Sequence, residues 1–227
     1  MTSTLVLRDE RARDAAVDLE LSVELLRAVA AGTMRDDRVV RVYSPLPTVA
    51  MSRRESRMPG FDLAAQAAAD RGFAPVIRPT GGRAVAYDAS CIVFDVIERE
   101  AGLGDQSAFF LRVGEALVAG MRGLGADARV GEVPGEYCPG EFSVNARGAV
   151  KLIGTSQRAV RGARLLSGMV ALGDVAHLVE VLIAVNAALG LEWDAATFGT
   201  LRDEVPNGAV VERAAVEDAL IGALVEM

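Results

Sequence analysis

The sequence predicts an α+β fold, a mixed and partly antiparallel sheet flanked by helices. Three observations carry that expectation. Apolar residues recur with a helical period in some stretches and a strand period in others, in an order that lacks regular strand–helix–strand alternation. Asn145-Ala-Arg-Gly148 offers hairpin turn chemistry between two strand-like runs. A chain of 227 residues, 51% of them hydrophobic, holds enough material for a core without disulfide staples. Residues 1–227 are therefore expected to form a single domain.

Leu19, Val23, Leu26 and Ala30 recur at helical spacing within residues 11–31, and Gly32 closes that helix. Residues 38–43 and 47–52 read as short strands separated by Ser44-Pro45. Residues 62–71 are Ala-rich and end at Gly72, which marks a second helix. Strands are expected over 74–78, 83–87 and 91–96. Phe109, Phe110, Val113, Leu117 and Met121 then give residues 106–122 a helical apolar face. A β region follows, over 128–133, 142–146, 150–153 and 165–172, and in its hairpin Lys151 is expected opposite Phe142 to Val144. Residues 174–189 return to helix with Asp174 as N-cap, and 210–225 form the last one.

Composition removes several function classes. A net charge of −7 argues against nucleic acid as a partner, because phosphate neutralisation needs clustered Lys and Arg. The basic stretch Gln157-Arg158-Ala-Val-Arg161-Gly-Ala-Arg164 is the local exception; a solvated strand and turn, or docking of an acidic partner, accounts for it. No apolar run reaches the roughly 18 residues needed to span a bilayer. The start, MTSTLVLRDERARDAAVD, turns charged too early for a secretory signal. Two cysteines are too few for a disulfide framework, so a cytoplasmic protein with reduced thiols is expected.

His177 is the only histidine and sits in a helix-like run, where a structural role is expected. Ser-His-Asp catalysis, Cys-His dyads and histidine metal sites would all hang on it, and no metal site is expected. Cys91, in Ser-Cys-Ile-Val-Phe, reads as an inert core residue. Cys138 lies in the loop Glu136-Tyr-Cys-Pro-Gly140, where functional groups concentrate. An unperturbed thiol is only about 3% thiolate at pH 7. A nucleophilic Cys138 therefore needs a cation or oriented backbone N–H groups; Lys151 is the candidate cation, and only a folded-back loop would bring the two together. Gly81-Gly82 lies between two strand-like segments and serves either a tight turn or close approach of a ligand to backbone. Arg78 and Arg83 flank it and could place a guanidinium beside a carbonyl or phosphate.

Arg78-Pro-Thr-Gly-Gly-Arg-Ala-Val85 resembles the Arg-x-Ser/Thr-Gly-Gly-x-Ala-Val segment of the lipoate-protein ligase and octanoyltransferase superfamily. Val150-Lys-Leu-Ile-Gly-Thr-Ser-Gln-Arg158 resembles its lysine segment, and Tyr137-Cys-Pro-Gly140 resembles the cysteine segment of the amidotransferase branch. That branch moves octanoyl or lipoyl groups from the glycine cleavage H protein to lipoyl domains of 2-oxoacid dehydrogenases. The resemblance covers roughly residues 15–190, with C-terminal helices over 191–227. It departs from the family at Tyr87, where many members have histidine, and at Ala149, where glycine or lysine is frequent.

The resemblance implies the catalytic-domain fold of biotin and lipoate protein ligases, with Cys138 as acyl acceptor and Lys151 as the invariant lysine. It implies a substrate site at Arg78, Thr80, Gly81, Gly82, Arg83, Ala84, Gly154, Thr155 and Ser156. On this basis a Cys138 thioester carries an octanoyl or lipoyl group from H protein or acyl carrier protein to a lipoyl-domain lysine, with no cofactor. Lys151 would hold the carbonyl oxygen, and backbone N–H groups near Gly81-Gly82 and Gly154-Thr155 would face the oxyanion. Two rivals stand beside it: a lipoate ligase that uses ATP and Mg, needing Lys151 but not Cys138, and a non-catalytic binder of acylated domains.

Overall fold

A computed structural model of the chain describes residues 3–9, 11–100, 105–206 and 211–227. Strand β1 (Thr4–Asp9) is followed by helix α1 (Ala15–Ala31), β2 (Arg38–Tyr43), β3 (Thr48–Ser52) and α2 (Phe61–Ala69). Then come β4 (Ala74–Arg78), β5 (Val85–Tyr87), β6 (Cys91–Arg99) and α3 (Gln106–Gly123). The second half holds β7 (Ala128–Val130), β8 (Val144–Ala146), β9 (Val150–Val160), β10 (Ala163–Ala171), α4 (Ala176–Leu189), α5 (Leu201–Glu204) and α6 (Arg213–Glu226). Seven strands form one sheet in the order β1-β2-β6-β10-β9-β8-β7, and three form another, β4-β3-β5. β1 pairs parallel to β2 and β3 parallel to β4, while the other ladders are antiparallel. The expected α+β class with mixed pairing is what the chain adopts.

Local chemistry sets the helix ends. Asp14 and Asp105 accept backbone N–H bonds at the starts of α1 and α3. Gly32 and Gly190 close α1 and α4 at φ of 70° and 66°, left-handed values that glycine adopts without a Cβ clash. Asp174 does not cap α4, because its backbone is itself left-handed (φ 56°) and its carboxylate pairs with Arg202 at 2.7 Å; Val175 takes the cap position. The last helix starts at Arg213, and Val210 lies outside the described residues. β1 escaped the sequence reading, being a short edge strand with only partly buried apolar residues.

One face of the large sheet is apolar. Val40, Val42, Phe94, Val96, Leu166, Val170 and Ile153 pack there against α3 and α6. The other face presents Arg41, Asp95, Ser167 and Met169 between α1 and the small sheet. The inward residues of α1 are accordingly Asp18, Ser22, Leu26 and Val29, not the purely apolar stripe that periodicity selects. Arg41 is fully buried, bonded to Asp18, 2.8 Å from Asp9 and 3.5 Å from Asp95, with its guanidinium 4.0 Å from the Tyr43 ring centroid. Burial pushes the Asp95 carboxyl above the ordinary carboxylate range, against the pull of Arg41 and of two serine hydroxyls.

α2 lies close to α4 because small residues line the seam, with Ala64 and Ala68 fully buried. A Cβ on Gly60 would overlap the Ala188 carbonyl oxygen. Gly60→Ala must therefore push the two helices apart, and thermal or urea unfolding should show a loss of about 1–3 kcal/mol. Gly72→Ala is the contrasting control, because a Cβ there meets nothing within 4 Å and only its left-handed φ of 80° is strained.

Candidate functional site

The expected hairpin forms between β8 and β9, but a bulge at Val144/Asn145 shifts its register. Lys151 pairs with Asn145, not with Phe142 to Val144. Residues 131–143 leave β7 as an irregular loop that folds back over β9, and this loop brings Cys138 to Lys151. The Lys151 Nζ donates to the Cys138 carbonyl oxygen at 2.6 Å and to Glu136 Oε1 at 3.1 Å. Its contact is thus with the main chain of Cys138. Glu136 is 1% exposed and Lys151 4%. Glu136 also accepts from the Ser143 hydroxyl at 2.8 Å and from the Val133 N–H.

Glycine makes room for this cluster. A Cβ on Gly154 would sit 2.8 Å from Lys151 Cε and 3.0 Å from the Tyr137 hydroxyl. Tyr137 is buried, packs edge-on to Trp193 and tilted against Phe198, and holds the Lys151 ammonium 4.7 Å above its ring. Burial, together with Cys138 and Glu136, pushes its phenol pKa well up.

The sulfur has its own donor. Cys138 Sγ accepts the Arg83 backbone N–H at 3.1 Å. Gly82, at φ 96°, permits the approach, since a Cβ there would lie 3.0 Å from Sγ and 2.6 Å from Arg78 Nη2. Gly81 has open space around it, so of the glycine pair it is Gly82 that close packing requires. The following N–H, of Ala84, is bound by Glu55 Oε1 at 2.7 Å, and Glu55 also holds the Ser52 N–H and hydroxyl. Arg78 Nη2 donates to the Arg83 carbonyl at 2.7 Å, closing the turn. The Arg83 guanidinium reaches out to the Glu192 carbonyl.

Behind Cys138 a narrow slot, with a cavity volume of about 50 Å³, runs between the large sheet and the small one. Arg78, Thr80, Arg83, Lys151, Gly154, Thr155 and Ser156 all line it. Thr80 and Ser156 meet across it through a 2.8 Å hydroxyl contact. Ala50, Val85, Val93 and Met169 supply an apolar lining. Gly81 and Gly82 instead face a second, larger groove outside the turn, lined also by Arg53, Arg54 and Leu191, and Cys138 touches both spaces. Ala84 is buried and lines neither.

The remaining candidates sort by burial. Cys91 is fully buried, and burial pushes its thiol up to about 12. His177 is half exposed, stacks on Phe73 and bonds Asp88 at 2.6 Å. The basic stretch does not form one patch: Arg164 is buried against Glu100 at 2.7 Å, and Arg158 donates to the Pro79 carbonyl. Among the described residues no cluster of three or more His, Cys, Asp or Glu is placed to hold a metal ion. No described helix is long and apolar enough to cross a membrane. Glu136 and Glu55, which tie the loop and the turn together, were not singled out from sequence; Glu136 stands two residues before Cys138, whereas Glu55 lies 23 residues before Arg78.

The sequence model of the lipoyl protein ligase A/B catalytic domain matches residues 14–207. The chain belongs to that family. An octanoyl-[GcvH]:protein N-octanoyltransferase of Geobacillus kaustophilus is 32% identical over 154 residues, 66% of this chain and 52% of the relative. The octanoyltransferase LipM of Moorella thermoacetica is 31% identical over 144 residues, 57% of this chain and 51% of the relative. The chain thus spans about half the length of these curated relatives. A lipoate-protein ligase A solved with ATP superposes with a TM-score of 0.74 at 21% identity, covering 99% of this chain and 84% of that one. A putative lipoate protein ligase of Thermoplasma acidophilum with bound lipoic acid gives 0.69 at 21% identity, covering 99% and 85%. At these identities the superpositions show a shared fold.

Three outcomes follow from the site geometry. In native protein one equivalent of iodoacetamide should label Cys138, and Cys91 should react only after denaturation, as peptide mapping would read. The raised thiol of Cys91 means that the folded state holds this proton more tightly than the unfolded one. That contribution is complete below about pH 8 and is lost as pH climbs toward about 12. Lys151→Met should cost about 3–5 kcal/mol by leaving the Glu136 carboxylate buried without its cation. Adding Glu136→Met to it should recover most of that loss in urea unfolding.

Proposed function

We propose that this chain is a protein-to-protein acyltransferase that carries an octanoyl or lipoyl group on Cys138. The observation that carries the reading is the position of Cys138 Sγ. It sits at the mouth of a largely apolar slot, receives a backbone N–H from Arg83, and has its own carbonyl held by a buried ammonium. The relatives' names, octanoyl-[GcvH]:protein N-octanoyltransferase and octanoyltransferase, point the same way.

In the first half-reaction the Cys138 sulfur adds to the donor's acyl carbonyl carbon. The bond from that carbon to the donor's nitrogen or sulfur breaks, and the leaving group takes a proton. The Arg83 N–H supports negative charge on sulfur before attack, and again when sulfur leaves in the second half-reaction. In the second half-reaction an acceptor lysine amine attacks the thioester, an amide forms, and the thiol is restored. Lys151 fixes the Cys138 main chain, so the nucleophile is presented at one angle, and its ammonium lies beside the reacting carbonyl. An eight-carbon chain buries about six or seven methylenes in the slot, worth around 5 kcal/mol. The donor is glycine cleavage H protein or acyl carrier protein, and the acceptor a lipoyl domain of a 2-oxoacid dehydrogenase. The reaction as written uses no ATP, Mg or other cofactor and takes place in the cytoplasm.

Incubation with each octanoylated donor and an apo lipoyl domain checks this. Intact-mass measurement should find an octanoyl adduct on Cys138, and Cys138→Ser should abolish transfer. Lys151→Ala should slow transfer by about a hundredfold or more. Transfer that persists in Cys138→Ala and requires free lipoate and ATP would replace this reading with the ligase one. Tight binding of acylated donor with no turnover would replace it with a binder.

A further inference from the structure

Many exposed arginines of this chain are answered by carboxylates: Arg71 by Glu180, Arg129 by Asp127, Arg147 by Glu204 and Arg202 by Asp174. The groove outside the Gly81-Gly82 turn breaks that pattern. Arg53 and Arg54 follow β3 and are exposed, Arg83 is half-buried, and all three line the groove. Among the described residues none of the three guanidiniums is ion-paired. Arg83 reaches the Glu192 carbonyl oxygen at 3.3 Å. Glu55 is the one carboxylate lining the groove among the described residues, and it is turned inward. Its Oε1 takes the Ala84 N–H and its Oε2 the Ser52 N–H and hydroxyl. Three cations thus share a groove of about 590 Å³, in a chain whose net charge is −7. Met58 and Leu191 add apolar surface, and arginine beside apolar area is the composition of a protein interface.

We propose that this groove is the docking face for an acidic protein domain that carries its acyl group on a lysine, with carboxylates around that lysine pairing to Arg53, Arg54 and Arg83. This rests on the acyl-transfer reading of Cys138 and assigns the recognition surface for its protein substrate. Distance selects the kind of partner. Cys138 Sγ lies 3.1 Å from the Arg83 nitrogen, and the Ala84 nitrogen lies 2.7 Å from Glu55. Successive backbone nitrogens are less than about 4 Å apart, so the Glu55 carboxylate stands within about 10 Å of sulfur. Arg54 adjoins Glu55 in the chain. A lysine side chain spans about 6 Å from Cα to Nζ, so a lysine-borne acyl group at sulfur brings its own domain's surface onto these arginines. A phosphopantetheine arm, about 20 Å long by the same bond lengths, lets a carrier protein stand clear of the groove.

The charge of the whole chain sharpens the choice. An acidic domain is disfavoured over most of an anionic surface and admitted where unpaired cations gather. Docking at the groove therefore also fixes orientation, with the acylated lysine over Sγ.

The test compares two ways of acylating Cys138. Octanoylated glycine cleavage H protein supplies the acyl group on a lysine, octanoyl-N-acetylcysteamine supplies it with no protein attached, and intact mass follows the adduct in both. The double variant Arg53→Glu/Arg54→Glu should lower kcat/KM with H protein about tenfold or more, through KM. It should leave the rate with the small thioester within about twofold of wild type, which also shows that it is folded. Raising NaCl from about 0.05 to about 0.3 M should slow wild type with H protein about tenfold and the double variant little. Arg161→Glu, just past the far end of β9 and about 30 Å from Lys151, is the matched charge control and should keep wild-type kinetics with both. Lysine in place of H-protein carboxylates beside the acylated lysine should restore the double variant. Equal loss with both acyl sources would make the arginines structural and overturns the proposal, as does full activity of the double variant with H protein. Loss confined to an octanoylated acyl carrier protein overturns it too, because the occupant is then a phosphate-borne one. Should neither source acylate Cys138, calorimetry of H protein on the Cys138→Ser protein still decides. Binding that Arg53→Glu/Arg54→Glu removes upholds the docking face and removes the transfer reading, and binding that survives it overturns the docking face.

Discussion

A lysine ammonium taken out of water must be met by charge and hydrogen bonds, and Lys151 satisfies this with the Glu136 carboxylate and the Cys138 carbonyl. Both partners belong to the loop after β7. The electrostatic requirement of a single strand residue therefore pins an irregular segment with no regular backbone pairing of its own. Remove it, and neither the Tyr137 packing nor the position of Sγ is determined. The bulge in the β8–β9 ladder serves the same end, because it offsets Lys151 from the regular register and lets its side chain run beneath the loop.

From that anchor the rest of the site follows by close packing. Gly154 lacks the Cβ that would strike both Lys151 and Tyr137, and Gly82 lacks the one that would strike Sγ and Arg78. The Arg83 N–H then faces sulfur because Glu55 has claimed the next N–H and the Arg78 guanidinium the Arg83 carbonyl. A turn so constrained from three directions presents its donor without reorganising, and this preorganisation is what a thiolate needs in a site without histidine.

Much of this was legible in the sequence, and what was not has a common cause. Gly32 announced the end of α1, and the turn residues at 145–148 announced a hairpin, because both effects are local. The strand expected at 150–153 in fact runs to Val160, through Arg158, whose charge argued for a surface and whose side chain folds onto the Pro79 carbonyl. Asp18 and Ser22 point inward on α1 because Arg41 and Asp95 await them across the interior. Periodicity alone assigned that face to Leu19 and Val23. Polar residues satisfied by distant partners look like surface until the partners are known. The cysteine and lysine were found as types in a pattern, while the role of Glu136 beside the cysteine was not, and Glu55 left no spacing to read because it binds backbone N–H groups.

The two buried ionic clusters have opposite consequences for what the slot can hold. At the mouth, the Glu136–Lys151 pair neutralises itself within hydrogen-bond distance and leaves the ammonium beside a carbonyl, so it favours a group that develops negative charge. On the α1 side, Arg41 is spread over three carboxylates, and Asp95 takes the hydroxyls of Ser22 and Ser167, so these groups are committed to one another. The charges that hold the fold together therefore also set the polarity of the slot.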